Sequence, residues 1–499
     1  MFANLALGFE TALTIENLLA CLLGVTLGTF VGVLPGIGPL AGISLLLPIT
    51  FYLEPTAALV MLAGIYYGAQ YGSSTSSILL NLPGTAASAV ICLDGYPMAK
   101  AGRSGAALFL TTIASFLGGS FAIILMGIFA PVLAAAALNF GPVEYVSMMV
   151  LGLLAATMLS TGSQLKGIAM VVTGLLLGVV GIDVNSGVSR FTFGSLHLLD
   201  GLSVVVLAMG LFGISEILFN LGSAQKAPPL DARSITWKSL VPTRSEMRAS
   251  WMPILRGSWV GAVIGILPGA GASIASFLSY ALEKRVAKDP SRFGKGAVEG
   301  VAAPEAANNS SAQAAFIPTL TLGIPGNAVM ALMLGALVIH GITPGPRILI
   351  DQASLFWGLV ASFWIGNVLL VVLNLPLIGI WVRILAIPYH ILVPIILFFI
   401  CTGVFSVSNS HINIFLVLGF GILGYGMQLL KYPAAPLLLG FILGPLMEEN
   451  LRRALLLSRG DPMTFIQSPL SATFLAITVV LVVLTLRRKP GSKPNEQGT

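Results

Sequence analysis

Two stretches of the sequence carry a glycine at every fourth position and end at a Pro-Gly pair. The first occupies Gly24–Gly38 and the second Gly257–Gly271, so that five glycines and one proline recur at a single offset (257 − 24 = 233). Such spacing gives a helix a flat face on which a neighbouring backbone can pack closely. The Pro-Gly pair removes an amide donor and permits a sharp backbone turn. The sequence therefore predicts one unit present twice, a tightly packed membrane helix that stops abruptly at a break.

The composition is that of a membrane protein. Hydrophobic residues make up 56% of the chain, charged residues only 9%, and the mean hydropathy is +0.95, whereas a soluble domain carries about 25% charged residues. Because a span needs about 20 apolar residues, we expect an all-α polytopic membrane protein with about 12–14 transmembrane segments. The net charge of +6 is attributed to cytoplasmic loops, and no nucleic-acid partner is expected.

Apolar stretches locate the expected spans on either side of one hydrophilic linker, residues 222–252. In the first membrane repeat, residues 1–221, the spans are 13–33, 38–53, a segment starting at 56, 104–136, 142–160, 164–182 and 200–221. In the second membrane repeat, residues 253–486, they are 251–268, 270–283, 327–340, 353–377, 389–408, 411–430, 433–447 and 466–486. Residues 94–103 are expected to form a polar loop, and 487–499 a cytoplasmic tail.

The charge of the linker determines the expected orientation. It carries five Lys and Arg residues against two acidic ones, so the positive-inside rule places it in the cytoplasm. An odd number of spans separates the two glycine series. The copies are therefore expected to form two inverted repeats with broken helices and re-entrant hairpins, an architecture typical of secondary transporters. On this count Arg452, Arg453 and Arg459 lie outside, against the rule.

A second pair of breaks recurs at another offset. Asn81–Gly84 in the first half corresponds to Gly323–Asn327 in the second, with the prolines related by 325 − 83 = 242. Each follows a polar run, Gly72–Ser77 or Pro304–Ser311, and we interpret these runs as matching features. Irregular polar backbone at membrane depth is tolerated only where it is buried in protein or lines a wet cavity. The breaks and runs together therefore predict a binding site.

Two kinds of ligand suit these segments. The hydroxyls, amides and freed carbonyls of the polar runs are ligands for an alkali cation, whereas a Pro-Gly pair followed by a new helix presents N–H groups and a positive dipole end to an anion. The combination predicts an organic carboxylate carried with Na⁺ or H⁺, with no other cofactor or metal.

The predicted site residues fall into two groups. The substrate-binding residues are Pro35, Gly36, Gly38, Asn81, Pro83, Gly84, Pro268, Gly269, Gly271, Ser273, Pro325, Gly326 and Asn327. The ion-binding residues are Ser73, Ser74, Thr75, Ser76, Glu305, Asn308, Asn309, Ser310 and Thr321. Candidates for the rim of the site are Lys100, Arg103 and Arg347.

Each of these features also has a purely structural interpretation. Glycine ladders in membrane helices commonly serve packing, and Ser and Thr hydroxyls commonly bond back to the preceding turn. Glu305 is either a site of ion or proton coupling or a cap of the following helix. Tyr66, Tyr67 and Tyr71 are expected to be packing or interface residues.

Other functional classes have less support in the sequence. GxSxG and HExxH motifs are absent, and Phe293–Gly296 lacks the spacing of a P-loop, so an intramembrane enzyme or an ATP-driven pump is disfavoured. The alternative to a transporter is a passive channel for small organic anions. A channel would show a continuous polar stripe or charged rings along a pore, whereas polarity here is confined to the breaks.

Seven motifs spread through most of the chain match a known pattern. They are Gly32–Pro39, Tyr66–Thr75, Asn81–Gly84, Asp94–Pro97, Gly265–Gly271, Pro304–Asn309 and Thr319–Gly326. Together they resemble the large membrane subunit of the bacterial tripartite tricarboxylate transporters. The resemblance implies a multi-pass subunit of the bacterial inner membrane that forms an ion-gradient-driven path through the lipid bilayer. It also implies a small membrane subunit and a periplasmic binding protein that captures tricarboxylates such as citrate, dicarboxylates or aromatic acids.

Overall fold

The computed structural model is built largely of α-helices and describes residues 2–35, 37–138, 140–159, 163–183, 186–221, 237–267, 269, 271–385 and 389–487. The helices before the linker are α1 (Phe2–Ala12), α2 (Ile15–Val33), α3 (Gly38–Leu46), α4 (Pro55–Leu80), α5 (Ile91–Met98), α6 (Ser104–Ala137), α7 (Pro142–Leu159), α8 (Gln164–Gly178), α9 (Val204–Ala208) and α10 (Ser215–Leu221). Two short strands, Gly181–Ile182 and Ser189–Arg190, pair as an antiparallel hairpin.

Fourteen helices of the described chain follow residue 236. They are α11 (Trp237–Leu240), α12 (Arg244–Ile266), α13 (Gly271–Val286), α14 (Glu299–Ala314), α15 (Phe316–Leu322), α16 (Ala328–Ile339), α17 (Ile348–Asp351), α18 (Ala353–Asn374), α19 (Ile378–Ile384), α20 (Tyr389–Ser408), α21 (His411–Leu429), α22 (Ala434–Leu457), α23 (Thr464–Gln467) and α24 (Pro469–Arg487). Wider or tighter helical turns are Leu47–Tyr52, Ala86–Val90, Ala99–Arg103, Leu196–Leu198, Met209–Ile214 and Pro290–Arg292.

The prediction of an all-α polytopic membrane protein is confirmed. Within the described residues, five helical segments are long and apolar enough to cross a membrane, Ile15–Val33, Ala86–Ala137, Val204–Leu221, Ala353–Asn374 and His411–Leu429. Shorter apolar helices are Gly38–Tyr52, Pro142–Met158, Gln164–Gly178, Ala328–Ile339, Ile391–Val407 and Pro469–Val483. The helix α4 is also long, with 26 residues, but it carries a polar run near its end.

Most expected spans coincide with a helix to within a few residues, but α12 begins at Arg244 rather than 251, α22 ends at Leu457 rather than 447, and one expected loop is helical. Residues 94–103, expected as a polar loop, lie in α5 and in the wide helical turn Ala99–Arg103. Packing accounts for the difference, because Ile91 and Met98 of α5 are buried in a hydrophobic cluster with Leu108 of α6. A hydrophobic anchor at each end thus holds the segment helical despite its polar residues. The first helix, α1, was included in no expected span and packs against α18.

The glycine ladders pack helix against helix, as their structural interpretation predicts. A Cβ atom added to Gly32 of α2 would overlap the carbonyl oxygen of Ala69 in α4, and one added to Gly265 of α12 would meet that of Ser311 in α14 at 2.5 Å. Each such contact between a glycine and the facing backbone is called a rung of the ladder. The remaining rungs are Gly24–Met61, Gly28–Ile65, Gly257–Ala303 and Gly261–Ala307. In both pairs the backbones are therefore in direct contact, with no side chain between them.

The rungs establish how the two copies correspond. The residues that face corresponding glycines in the first and second copies are always 242 positions apart (303 − 61, 307 − 65 and 311 − 69). The same offset relates the second breaks of the two copies. The pair α2–α4 is therefore repeated as α12–α14, and α15 continues the second copy of α4. The packing of the helices thus shows the same repeat that the sequence predicts.

The two copies also pack on each other reciprocally. Helix α3 of the first copy contacts α16 of the second, while α13 of the second copy contacts the turn Ala86–Val90 of the first. Helices α3 and α13 each follow the first break of their own copy. Each contacts the segment that follows the second break of the other copy, which is α16 for α3 and the turn Ala86–Val90 for α13. This exchange is what a two-fold relation between the copies produces. The direction of each copy across the bilayer stays a prediction from loop charge.

An ion-pair network surrounds one of the arginines that conflicts with the charge rule. Arg452 of α22 lies 2.6 Å from both Asp183 and Glu448. Arg190 of the hairpin lies 2.7 Å from Glu448 and 3.5 Å from Asp183. Two cations thus face two carboxylates, so the network has no net charge. The positive-inside rule counts Lys and Arg rather than net charge, so Arg452 still counts against the predicted orientation of this part of the chain.

Candidate functional site

The first break of each copy separates two helices. Helix α2 ends at Val33 and α3 begins at Gly38, and α12 ends at Ile266 with α13 beginning at Gly271. Gly38 and Gly271 have φ values of +66° and +61°, and a Cβ atom at either would meet nothing within 4 Å. These glycines are thus required for the backbone angle rather than for space. Pro35 lies in the first break, whereas Gly36, Pro268 and Ala270 lie outside the described residues.

The second breaks have the same construction in both copies. Asn81 ends α4 in the left-handed region (φ 58°, ψ 28°), and Gly323 ends α15 there (φ 70°, ψ 20°). Thr85 and Asn327 then cap the next helical segments, accepting hydrogen bonds from the backbone N–H of the residue three positions on at 3.3 and 3.0 Å. Pro83 and Pro325 are therefore located between helices, as predicted.

The glycines of the breaks hold the two segments together. A Cβ atom at Gly84 would overlap the carbonyl oxygen of Gly32, and one at Gly326 would lie 3.5 Å from that of Gly265. The Gly269 N–H donates a 2.7 Å hydrogen bond to the carbonyl oxygen of Gly326. Within the second copy the first break is thus hydrogen-bonded to the second break. In each copy the second break therefore packs on the last turn of the helix that precedes the first break.

A direct contact joins the second break of the second copy to the first copy. The Asn327 side-chain amide donates to the Tyr66 hydroxyl at 3.3 Å. The residue of the second copy that corresponds to Tyr66 is Asn308 (66 + 242), and the residue of the first copy that corresponds to Asn327 is Thr85 (327 − 242). The equivalent contact, with the two copies exchanged, would therefore join Asn308 and Thr85. Both amide atoms of Asn308 are buried without a hydrogen-bond partner among the described residues. Buried polar groups are nearly always paired, so this amide is a candidate ligand contact.

The polar runs differ from expectation in their backbone. Residues 73–77 lie within α4, so their carbonyls are not freed, and the expectation of freed carbonyls there is wrong. The hydroxyls of Ser73, Ser76 and Ser77 bond back to carbonyls three or four residues earlier, at 2.8, 3.1 and 2.9 Å. Thr75 is buried in the same helix. Back-bonding of this kind satisfies a hydroxyl without a break in the helix.

Two further predicted ion ligands have structural partners. The Thr321 hydroxyl donates to the carbonyl oxygen of Ile317 at 2.7 Å, within α15. The Ser310 hydroxyl donates to the carbonyl oxygen of Ser258 at 2.7 Å and thereby links α14 to α12. Ser273 is half-buried near the start of α13. The hydroxyls of Thr321 and Ser310 are therefore already hydrogen-bonded within the protein.

Glu305 lies at the centre of a buried polar cluster. The cluster includes two further predicted ion-binding residues, Ser74 and Asn309. Its carboxylate accepts hydrogen bonds from Ser74 of α4 and Ser115 of α6, both at 2.6 Å, and from the Asn309 amide at 3.0 Å. The Asn309 amide also donates to Ser115 at 2.8 Å. Glu305 is fully buried, and three helices from both halves of the chain meet at its carboxylate.

The structure excludes one of the two interpretations of Glu305. Helix α14 begins at Glu299, so Glu305 lies in its second turn with the backbone already helical. A residue in that position has no free N–H at the helix start to cap. The capping interpretation is therefore wrong, and the interpretation as a buried functional carboxylate stays as a prediction.

The interpretation of the two polar runs as matching features is also wrong. The offset of 242 relates Glu305 to Ala63 and Ser74 to Phe316. Each copy thus supplies polar groups where the other has apolar ones. The cluster around Glu305 is for this reason built once, across the copies, and not twice.

Sequence reasoning missed several polar residues near this cluster. The Tyr71 hydroxyl hydrogen-bonds the Asn367 side chain of α18, and the Asn367 amide donates to Ser120 at 3.0 Å and to the Phe116 carbonyl at 2.9 Å. Tyr71 was expected to be a packing or interface residue. A signal was available, because an asparagine in the middle of a span as apolar as α18 is rarely without a role.

The predicted rim residues lie apart from these clusters. Arg103 forms an ion pair with Glu246, and Lys100 lies over the ring of Tyr96 at 4.7 Å. Arg347 pairs with Asp351 at 3.2 Å, with both side chains exposed. None of the three contacts a described residue of the breaks through these bonds.

Comparison with known proteins connects this arrangement to a family. The sequence model of the tripartite tricarboxylate transporter TctA family matches residues 18–439. The chain belongs to the TctA family. No solved structure matches it.

Two proteins of Agrobacterium vitis are similar to this TctA chain. One, described as an uncharacterized 52.8 kDa protein in the TAR-I ttuC' 3' region, is 50% identical over 486 residues, covering 97% of this chain and 96% of that protein. The other, described as an uncharacterized protein in the TAR-II ttuC' 3' region, is 51% identical over 236 residues, covering 47% of this chain and 98% of that protein.

Membership of the TctA family confirms the resemblance found in the seven sequence motifs. The chain is the large subunit of a tripartite tricarboxylate transporter and a multi-pass membrane protein. Its family is one of transporters rather than enzymes. A tripartite system implies two further components, a small membrane subunit and a periplasmic binding protein.

Proposed function

We propose that this chain is the permease subunit of a secondary transporter of the bacterial inner membrane that imports tricarboxylates such as citrate, or related organic acids. A periplasmic binding protein delivers the acid, and a gradient of Na⁺ or H⁺ drives the import. Family membership supports the transport function. The choice of substrate class, site and coupling is supported by the geometry of the breaks.

The observation that carries the proposal is the construction of the second breaks. Thr85 and Asn327 each begin a helical segment, and the first turn of such a segment presents N–H groups and a positive dipole end. Carboxylates bind well at such ends without a lysine or arginine. Asn327 and the unpartnered Asn308 add side-chain amides that can donate to a carboxylate. An acid with several carboxylates could thus be held by backbone and amide donors together.

Uptake into vesicles tests the proposal. Right-side-out vesicles carrying this chain and the small membrane subunit are supplied with the purified binding protein and labelled citrate. We expect saturable uptake above equilibrium that requires an imposed ion gradient. Uptake that only equilibrates, without saturation, would identify the passive channel and contradict the proposal.

A pair of asparagine variants tests the position of the site. Asn308→Ala removes the buried amide that has no described partner, and we expect a higher KM for the acid. Asn450→Ala is the matched control, since the Asn450 amide only bonds back to the Leu446 carbonyl at 2.8 Å. Equal KM values in the two variants would remove Asn308 from the site while leaving the transport function in place.

A further inference from the structure

The Glu305 carboxylate is buried without a charge that balances it. Among the described ion pairs none includes Glu305, and its three bonded partners, Ser74, Ser115 and Asn309, are neutral. An ionised carboxylate in such surroundings is costly unless a proton or a cation is bound with it. The site must therefore hold either H⁺ or a metal cation during part of the transport cycle.

Charged groups on the neighbouring helices do not supply the balance. Arg256 of α12 forms a two-fold contact with Glu283 of α13, at 2.6 and 2.7 Å. Asp94 of α5 accepts hydrogen bonds from the backbone and from Tyr280 of α13. Helix α6 and helix α15 contain no titratable residue. The titratable group that faces Glu305 is the phenol of Tyr71 in α4, which is neutral at ordinary pH.

The spacing of the oxygen atoms distinguishes the two ions. Ser74 Oγ and Ser115 Oγ each lie 2.6 Å from a carboxylate oxygen of Glu305. Ca²⁺, which has nearly the radius of Na⁺, keeps its oxygen ligands about 2.3–2.6 Å away, so two ligands at a right angle lie about 3.4 Å apart. Oxygens at 2.6 Å are instead joined by the hydrogen atoms of the serine hydroxyls and are too close together to be neighbouring ligands of such a cation. A serine hydroxyl can also accept a hydrogen bond, so the carboxylate can take up a proton without a change in this spacing.

We propose that the coupling ion is a proton and that Glu305 carries it, an inference that rests on the proposed import function. In the loaded state one carboxylate oxygen bears the proton, and this O–H donates a hydrogen bond to a serine hydroxyl. In the unloaded state the serine hydroxyls and the Asn309 amide donate to the carboxylate. Because Ser74 belongs to the first copy and Glu305 to the second, the change of donor occurs at a contact between the copies.

Proteoliposomes with separately imposed gradients test the inference. They contain this chain and the small membrane subunit, with binding protein and labelled citrate outside and the membrane potential clamped at zero. We expect a pH gradient to drive accumulation by the wild-type complex, with about tenfold accumulation per pH unit for each proton carried. Accumulation driven by a Na⁺ gradient alone would overturn the proton inference and keep the import function. Absence of uptake under either gradient would overturn the import function itself.

The variant Glu305→Gln keeps the shape of the side chain and cannot carry a proton. We expect it to lose accumulation driven by the pH gradient and to retain an exchange of internal for external citrate that no longer depends on pH. Glu216→Gln is the matched control, because the Glu216 carboxylate is also bound only by neutral amides, those of Asn220 at 3.0 Å and Gln428 at 3.2 Å. Full accumulation by Glu305→Gln would overturn the inference.

A second variant covers the case in which Glu305→Gln does not fold, which size-exclusion chromatography shows. Ser115→Ala removes one hydroxyl from the carboxylate and keeps Glu305 itself. We expect the pH at which citrate exchange is half-maximal to move, since a group bonded to Glu305 is lost. An unchanged pH profile in a folded Ser115→Ala protein would overturn the inference.

Discussion

Asp94 of α5 and Ala297 of the segment before α14 are joined by a 2.8 Å hydrogen bond from the Ala297 N–H to the Asp94 carboxylate. The backbone N–H groups of Gly294 and Gly296 donate to the same oxygen at 2.9 and 2.8 Å, and the Tyr280 hydroxyl donates to the other at 2.9 Å. Asp94 is fully buried. Four donors of the second half thus converge on one carboxylate of the first half.

Removal of this carboxylate is expected to loosen the two halves. Asp94→Ala leaves three N–H groups and a hydroxyl without their partner, at a cost of about 1–3 kcal/mol for each group that stays buried. Thermal unfolding of the purified protein in detergent should show a clearly lower Tm. The control is Asp351→Ala, whose carboxylate is exposed and paired with Arg347 at 3.2 Å. Equal Tm values for the two variants would contradict this role of Asp94.

The glycine ladder allows a comparison between two Gly→Ala variants. Gly32→Ala forces a methyl group onto the Ala69 carbonyl, and overpacking of this kind costs about 1–3 kcal/mol. Gly426→Ala on α21 meets nothing within 4 Å, and alanine favours a helix over glycine by about 0.5–1 kcal/mol. We therefore expect Gly32→Ala to lower the Tm and Gly426→Ala to keep or raise it. The same loss from both variants would refute backbone contact as the role of the ladder.

The ion-pair network around Arg452 should show measurable coupling. A double-mutant cycle of Arg452→Ala and Asp183→Ala is expected to give a coupling energy of about 0.5–3 kcal/mol in unfolding. The exposed pair of Arg453 and Glu449 on the same helix is the control, with an expected coupling of about 0.2–1 kcal/mol. High salt should weaken the control pair more. Additive effects of the Arg452 and Asp183 variants would show that the network does not stabilise the fold.

The bond between the two copies at the second break should affect substrate handling. Tyr66→Phe removes the hydroxyl that accepts from Asn327, and the loss of one such bond is worth about 0.5–1.5 kcal/mol. We expect an increased KM for citrate and a Tm that falls by at most a few degrees, because a single hydrogen bond is lost from a long chain. Tyr425→Phe on α21, away from the breaks, is the control for loss of a phenol. A wild-type KM in Tyr66→Phe would exclude this contact from the site.

Much of the fold follows from features visible in the sequence. Glycine at every fourth position predicts close helix contacts, and the structure places Gly24, Gly28 and Gly32 against the backbone of α4. Proline followed by glycine predicts a break, and Pro35, Pro83 and Pro325 lie between helices. These signals are local, because the residue that imposes the geometry is also the one that shows it.

The candidate site could be predicted only in part, because its contacts join distant segments. Glu305 is visible as an ionisable residue in an apolar region, but its partners Ser74 and Ser115 lie 231 and 190 residues away in the chain. The sequence does not distinguish Ser74, which bonds to Glu305, from Ser73 and Ser76, which bond back to their own helix. Which hydroxyl is used depends on the rotation of α4 toward α14, and the ladders set that rotation.

Backbone contact along the ladders also restricts how the molecule can rearrange. A rung such as that of Gly28 and Ile65 contains no side chain that could change rotamer, so α2 cannot slide along α4 without a steric clash. We therefore expect the pair α2–α4 and the pair α12–α14 to move as two rigid units. Ser74 belongs to the first unit and Glu305 to the second, so their hydrogen bond lies between the units. Protonation of Glu305 would therefore change how strongly the two units are held together.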